Sequence, residues 1–172
     1  MLIQLKAFSL IETLITLVIL ILSLYFISPI FFKLHDHLLL NKEIDQVKAF
    51  IYQIQSKARY QKQNYSISIN QDNQQWCMVA VAKLDSKQIA CDCLNINSCL
   101  IKDEYRLYHS HNALTLKSNS LYPKVFMNVD GNAGRLESKC LGFALNNEKD
   151  VIQFEQNGVV YVIQKNKRST CR

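Results

Sequence analysis

The chain has 172 residues, 49% hydrophobic and 20% charged, which excludes a disordered or collagen-like protein and leaves room for one ordinary domain plus an appendage. Twenty Lys and Arg against fourteen Asp and Glu give a net charge of +6, a balance that suits an anionic partner such as nucleic acid or lipid headgroups. Only four Gly and two Pro are present, and the chain lacks a phosphate-binding Gly-Lys-Ser/Thr loop, a dinucleotide Gly fingerprint, a His-Glu-x-x-His zinc motif and a nucleophile elbow.

From Thr13 to Phe32 no residue is charged. Twenty helical residues at about 1.5 Å each span a hydrocarbon core of about 30 Å. Lys6 precedes the run and Lys33 closes it. A cleaved secretory signal has a shorter apolar core and a small-residue cleavage site, which Phe31-Phe32-Lys33 is not. A plain signal anchor with Lys6 inside is the other ordinary reading, and Glu12 fits it poorly. A carboxylate deep in an apolar helix costs about 2.5–3.5 kcal/mol on insertion scales. A partner charge in an assembly offsets that cost.

The segment Ala7-Phe8-Ser9-Leu10-Ile11-Glu12-Thr13-Leu14-Ile15 resembles the class III signal of type IV pilins and type II secretion pseudopilins. The resemblance implies a leader peptide, residues 1–7, removed between Ala7 and Phe8 by a prepilin peptidase that also methylates the new Phe8 amine. Ala7 stands where the family usually has Gly, and the peptidase requires a small residue there. Counted from Phe8, Glu12 is the fifth residue and Pro29 the twenty-second, positions where the family carries Glu and commonly Pro. By the same resemblance, Glu12 is an assembly residue that faces the Phe8 amine of a neighbouring pilin or pseudopilin subunit. The chain then sits in the bacterial inner membrane as a single-pass protein with a periplasmic C-terminal domain, and afterwards in a pilus or pseudopilus fibre.

Pro29 lacks an N–H and is expected to kink the helix. Beyond Lys33 the pattern turns periodic. Leu40, Ile44, Val47, Ile51, Ile54 and Ala58 are spaced 4, 3, 4, 3, 4, one apolar stripe of an amphipathic helix reaching about Tyr60. Lys42, Glu43, Asp45, Lys48 and Lys57 lie off the stripe. A short coiled coil is the competing reading of that stripe.

From Tyr65 the period is close to two. Ser66–Ile69 alternates, and Trp76–Val81 and Gln88–Cys91 flank Leu84-Asp85-Ser86-Lys87 as a hairpin. Ala113–Lys117 and Lys124–Val129 read as strands, followed by a turn at Asp130-Gly131-Asn132. Leu141–Leu145, Val151–Phe154 and Val159–Gln164 follow, the last pair joined by Asn157-Gly158 as a type I′ turn. The expected fold is α+β and pilin-like, a long N-terminal helix packed on an antiparallel β-sheet domain. Its parts are a leader 1–7, a transmembrane half-helix 8–32, an amphipathic half-helix 33–62 and a disulfide-stapled periplasmic β domain 63–172.

The six cysteines, Cys77, Cys91, Cys93, Cys99, Cys140 and Cys171, all lie beyond the apolar run, in the expected oxidising compartment. Six cysteines admit many pairings. The expectation is Cys140–Cys171 stapling the C-terminal strands, with Cys77–Cys91 and Cys93–Cys99 around the hairpin. Zinc at Cys91, Cys93, Cys99, His109 and His111 is the alternative, but Cys-x-Cys is an unusual spacing for a structural site. His109 and His111 read as exposed loop residues, and His35 and His37 as lying just outside the membrane. Asp130-Gly131-Asn132 lacks the further ligands of a calcium loop. No nucleophile, base and orienter set marks an enzyme, and no cofactor or metal is expected.

The last eight residues carry Lys165, Lys167, Arg168 and Arg172 and no acidic side chain. A Cys140–Cys171 bridge would gather them with Arg135 and Lys139 as a phosphate-contacting patch for double-stranded DNA. Tyr161, Tyr122 and Phe126 read as core residues of strands. The region Val125–Tyr161 resembles the C-terminal part of the FimT/GspH-type minor pilins, one branch of which takes up DNA in natural competence through a Gly-Arg-x-Arg motif. Here the equivalent place reads Gly158-Val159-Val160-Tyr161, without the arginines, and Gly134-Arg135-Leu136-Glu137 keeps one. The expected function is a minor pilin or pseudopilin subunit serving DNA uptake through the basic C-terminal surface. The alternative is a type II secretion pseudopilin or a pilus-initiating subunit that contacts only protein.

Overall fold

The computed structural model describes residues 9–73, 75–83, 90–95, 97, 99, 105–110 and 114–163. The expected leader, its cleavage site at Ala7 and Phe8, the Leu84–Lys87 turn, His111 and the C-terminal tail with Lys165, Lys167, Arg168, Cys171 and Arg172 lie outside the described residues. The chain divides into two units, residues 1–38 and 39–172, and a 52-residue helix, α1 (Leu10–Gln61), contributes to each.

In the first unit α1 is apolar and uncovered. It is long and apolar enough to cross a membrane, and none of its most apolar window is buried. The few hydroxyls bond back to the helix. Thr13 Oγ1 donates to Leu10 O at 2.8 Å, Thr16 Oγ1 to Thr13 O at 2.9 Å, and Ser23 Oγ to Ile19 O at 2.5 Å. Such bonds remove the cost of a hydroxyl in an apolar medium. The helix continues through Pro29.

In the second unit the stripe expected from the sequence is the buried face of α1. Leu40, Val47, Ile51, Ile54 and Ala58 are fully buried and Ile44 almost so. Each large aliphatic side chain withdrawn from water is worth about 1.5–3 kcal/mol. Glu43, expected off the stripe, is buried as well, and its carboxylate accepts the hydroxyl proton of Tyr108. That hydrogen bond offsets part of the cost of a charged residue on the core face.

Two four-stranded antiparallel sheets face this helix. The first has the order β3 (Tyr105–Ser110), β2 (Trp76–Ala82), β1 (Tyr65–Gln71), β5 (Met127–Val129). The second has the order β4 (Thr115–Lys117), β6 (Lys139–Leu145), β7 (Glu148–Phe154), β8 (Val160–Val162). Their inner faces and α1 share one core, in which Trp76 meets Phe143 edge-on at 6.1 Å and Phe126 meets Phe154 at 5.6 Å.

Four expectations change. Of the expected strand Gln88–Cys91, the first two residues lie outside the described residues, and Ala90 and Cys91 do not pair with β2. Both edges of β2 are already taken, Trp76 by Gln71 and Ser110 and Val81 by Ser66 and Tyr105. The strand that pairs there, β3, carries His109, which was expected in a loop. The Asn157-Gly158 turn is not type I′, because Gly158 has positive φ (88°) and Asn157 does not. Gly158 N donates to Glu155 O at 2.9 Å and Glu155 N to Val159 O at 3.0 Å, a type I turn closed by a left-handed glycine. Of the three aromatics expected in the core, Phe126 is buried, while Tyr122 and Tyr161 are exposed.

The disulfides are also re-paired. They join Cys77 to Cys93 and Cys91 to Cys99, with Cα separations of 5.8 and 5.4 Å. The segment after β2 crosses over β1 instead of folding back along β2. Cys91 N donates to Ser68 Oγ at 3.2 Å, and Asn70 Nδ2 donates to Asp92 Oδ1 at 2.7 Å. That path carries Cys93 to Cys77 and leaves Cys91 to close on Cys99. The bridged segment covers the outer face of β2, burying Cys77, Val79 and Val81. Cys140 is also disulfide-bonded, and its expected partner Cys171 lies outside the described residues.

Candidate functional site

The Gly134-Arg135 and Asn157-Gly158 segments, far apart in sequence, meet on one buried side chain. Gln55, 5% exposed on α1, donates through Nε2 to Gly134 O at 2.8 Å and to Gly158 O at 3.0 Å. A single amide holds both loops, because its two N–H groups satisfy two carbonyls that the turns leave unpaired. One turn later Arg59 lies along Gly134. A Cβ at Gly134 would stand 3.1–3.2 Å from Arg59 Cδ, Cγ and Nε.

The helix then stops. Lys62 adopts a left-handed conformation (φ 54°) and Gln63 N donates to Ala58 O at 3.1 Å, which closes the last turn. Asn64 ties the next two segments to this end. Its Oδ1 accepts from Gly131 N at 2.7 Å and its carbonyl accepts from Lys83 N at 2.8 Å. The loop comes so near that a Cβ at Gly131 would sit 2.5 Å from the Gln63 backbone.

The 130–137 segment is internally braced. Ala133 N donates to Asp130 Oδ2 at 2.8 Å, Gly134 N to Asp130 O at 2.9 Å and Asp130 N to Arg135 O at 2.9 Å. Leu136 forms a bridge to Val129. The outcome is a surface pocket of about 240 Å³ lined by Asn64, Lys83, Asn128, Asp130, Arg135 and Glu137, among others. Arg135 and Leu136 also line a neighbouring depression with Gln156 and Asn157.

The two described cations of the expected DNA patch differ in environment. Arg135 is exposed and its side chain has no hydrogen-bonded or ionic partner among the described residues. Lys139 is held. Its ammonium lies 3.0 Å from Glu137 Oε2, donates to Phe126 O and stands 6.0 Å over the Phe126 ring. Burial alone would raise the pKa of Glu137. The hydrogen bonds from Asn128 and Lys139 and the lysine charge outweigh it and hold the carboxyl below its ordinary value of 4.5. Sequence reasoning named Arg135 and missed Gln55, Arg59, Asn64 and Lys83. A polar residue four past Ile51 and three before Ala58, at core spacing, was the one available signal for Gln55.

Of the other expected residues, Glu12 lies exposed in the first turn of α1, where the helix dipole favours a carboxylate. Cys91, Cys93 and Cys99 are spent in disulfides and offer no thiolate to a metal.

No family model matches the chain. It is 28% identical over 170 residues to an uncharacterised protein of Haemophilus influenzae, covering 96% of this chain and 98% of that one. The crystal structure of the type IV minor pilin FimU of Pseudomonas aeruginosa superposes with a TM-score of 0.51 at 18% identity, over 77% of this chain and 93% of FimU. The fold is that of a type IV minor pilin. A second crystal form of FimU gives a TM-score of 0.49. The pilin-like α+β architecture expected from the sequence is therefore the observed one, and the solved protein that shares it is a pilus subunit.

Proposed function

We propose that this chain is a minor pilin subunit of a type IV pilus-like fibre. The observation that supports the reading best is the union of a minor-pilin fold with an N-terminal helix that is uncharged from Thr13 to Phe32 and whose described side chains there are all exposed. In this reading residues 1–7 are a leader removed by a prepilin peptidase, and residues 8–32 anchor the subunit in the inner membrane. The stripe-bearing half of α1, up to residue 62, then carries the periplasmic domain 63–172. Glu12 pairs with the methylated Phe8 amine of the next subunit, which offsets the cost of a carboxylate in an apolar setting. Pro29 shapes the same helix. The test is Glu12→Ala in cells. Membrane insertion should persist while the variant disappears from sheared fibres, and normal incorporation sinks the reading.

The finer reading is DNA uptake, with Arg135, Lys139 and the tail cations Lys165, Lys167, Arg168 and Arg172 contacting phosphates. Full-length protein in detergent, titrated with duplex DNA at several salt concentrations, tests it. A log–log salt slope of about −3 to −4, lost when the four tail cations become Ala, supports roughly four phosphate contacts. The neutralisation of Lys139 by Glu137 favours the second reading, a secretion pseudopilin or fibre-initiating subunit that contacts protein alone. That reading predicts no salt-dependent DNA binding at all.

A further inference from the structure

The pocket at the end of α1 is lined by as many carboxylates as cations, but the two kinds of group differ in their partners. Two carboxylates line it, and both are engaged. Glu137 is bound by Asn128 and Lys139, and Asp130 accepts the Ala133 N–H. Two cations line it, and neither is engaged. The side chains of Lys83 and Arg135 have no hydrogen-bonded or ionic partner among the described residues. The same holds for Arg59, which lies on Gly134 beside Arg135.

The amides are equally asymmetric. Asn128 is used at both ends, accepting from Ser66 Oγ at 3.1 Å and donating to Glu137. Asn64 is used at one end among the described residues, since Oδ1 accepts from Gly131 N and leaves its NH₂ group to donate. Apart from the second oxygen of Asp130, the groups left over around the pocket are donors: an ammonium, a guanidinium and an amide. Their framework is fixed by the Gly131–Asn64 bond, the Lys83–Asn64 bond and the Gln55 clamp on Gly134.

We propose that this pocket binds a phosphate group. Three separate donor groups around one cavity suit a tetrahedral anion with several oxygens better than a planar carboxylate with two, and Arg supplies a forked donor for it. The helix end opposes an anion through its dipole, and Arg59 in the last turn offsets that field. The phosphate is either free or part of a phosphodiester backbone. The site stands without the C-terminal tail and does not rest on the fibre reading.

The test uses the full-length chain, isotopically labelled, in detergent micelles. Inorganic phosphate and, separately, a short DNA duplex are titrated at constant ionic strength. The backbone amide signals of Asn64, Lys83, Gly131 and Arg135 are followed. Saturable shifts confined to these residues are expected, with affinity at least about tenfold weaker in the double variant K83A/R135A, the scale of one lost charge-assisted contact. Asn64→Asp keeps the acceptor for Gly131 N–H and adds a negative charge, and it should abolish the shifts while the spectrum stays dispersed. Response to phosphate alone identifies a small-molecule source, response to duplex identifies a backbone, and either supports the site. Absence of saturable shifts with both probes overturns it. So do shifts that survive K83A/R135A, or duplex binding lost only when the tail cations are removed. That last outcome leaves the DNA reading of the tail intact.

Discussion

The side-chain amide of Gln55 donates to the carbonyl oxygen of Gly158 across 103 residues of sequence, at 3.0 Å. The same nitrogen serves Gly134 O. Gln55→Leu should therefore destabilise the domain by about 1–3 kcal/mol, because two carbonyls are left without a partner beside a buried side chain. Chemical denaturation of the full-length protein in detergent reads this directly. Gly158→Ala should cost a similar amount by another route. Its φ of 88° is strained for alanine, and a Cβ would lie 2.7 Å from Gln55 Nε2.

Gly131 and Gly134 should respond differently to the same substitution. At Gly131 an added Cβ meets Gln63 backbone at 2.5 Å, and backbone cannot step aside. At Gly134 the contact is 3.1–3.2 Å to the flexible Arg59 side chain, though φ is +68°. Gly131→Ala is expected to lower the melting temperature more than Gly134→Ala. Lys62→Gly should stabilise the domain slightly, by about 0.5–1 kcal/mol, since the left-handed position that ends α1 favours glycine.

Peptide mapping under non-reducing conditions should recover Cys77 linked to Cys93 and Cys91 linked to Cys99. Replacing Cys77 and Cys93 by Ser should cost about 3 kcal/mol on the loop-entropy account, and it loosens the cover over Val79 and Val81. Recovery of Cys77 with Cys91 would contradict the path of the segment over β1.

Acid stability carries a signature of Glu137. Its folded pKa is depressed, so it contributes stability above the ordinary value of 4.5, and the contribution is lost as pH falls through the lower folded value. Glu137→Gln removes a group that binds fewer protons when folded. The variant should therefore show a shallower loss of stability below pH 4.5 than the parent, and the two curves should run parallel above it.

The helix was legible because burial leaves a periodic trace. Leu40 through Ala58 follow the stripe position by position, and the uncharged run before Lys33 is visible by eye. β1, β6 and β7 showed themselves through alternation and through short apolar runs. β3 did not, since Arg106, His109 and Ser110 interrupt any apolar pattern. The cysteine pairing was hidden for a different reason. It depends on which strand the linking segment crosses, and that is decided by Ser68 and Asn70, residues with no sequence mark of the role. The candidate pocket was mostly invisible because Gln55, Asn64 and Lys83 act through backbone neighbours brought together only by the fold.

β2 is enclosed on every side. Strands occupy both edges, the shared core lies on one face and the bridged segment on the other, and all seven of its residues are buried. Solvent reaches its amides only when the whole second unit opens, so their deuterium uptake gives the free energy of global opening. The amides of the three-residue border strands β4 and β8 exchange through smaller local fluctuations. The gap between the two sets measures how far the periphery of the domain can loosen while its centre stays shut.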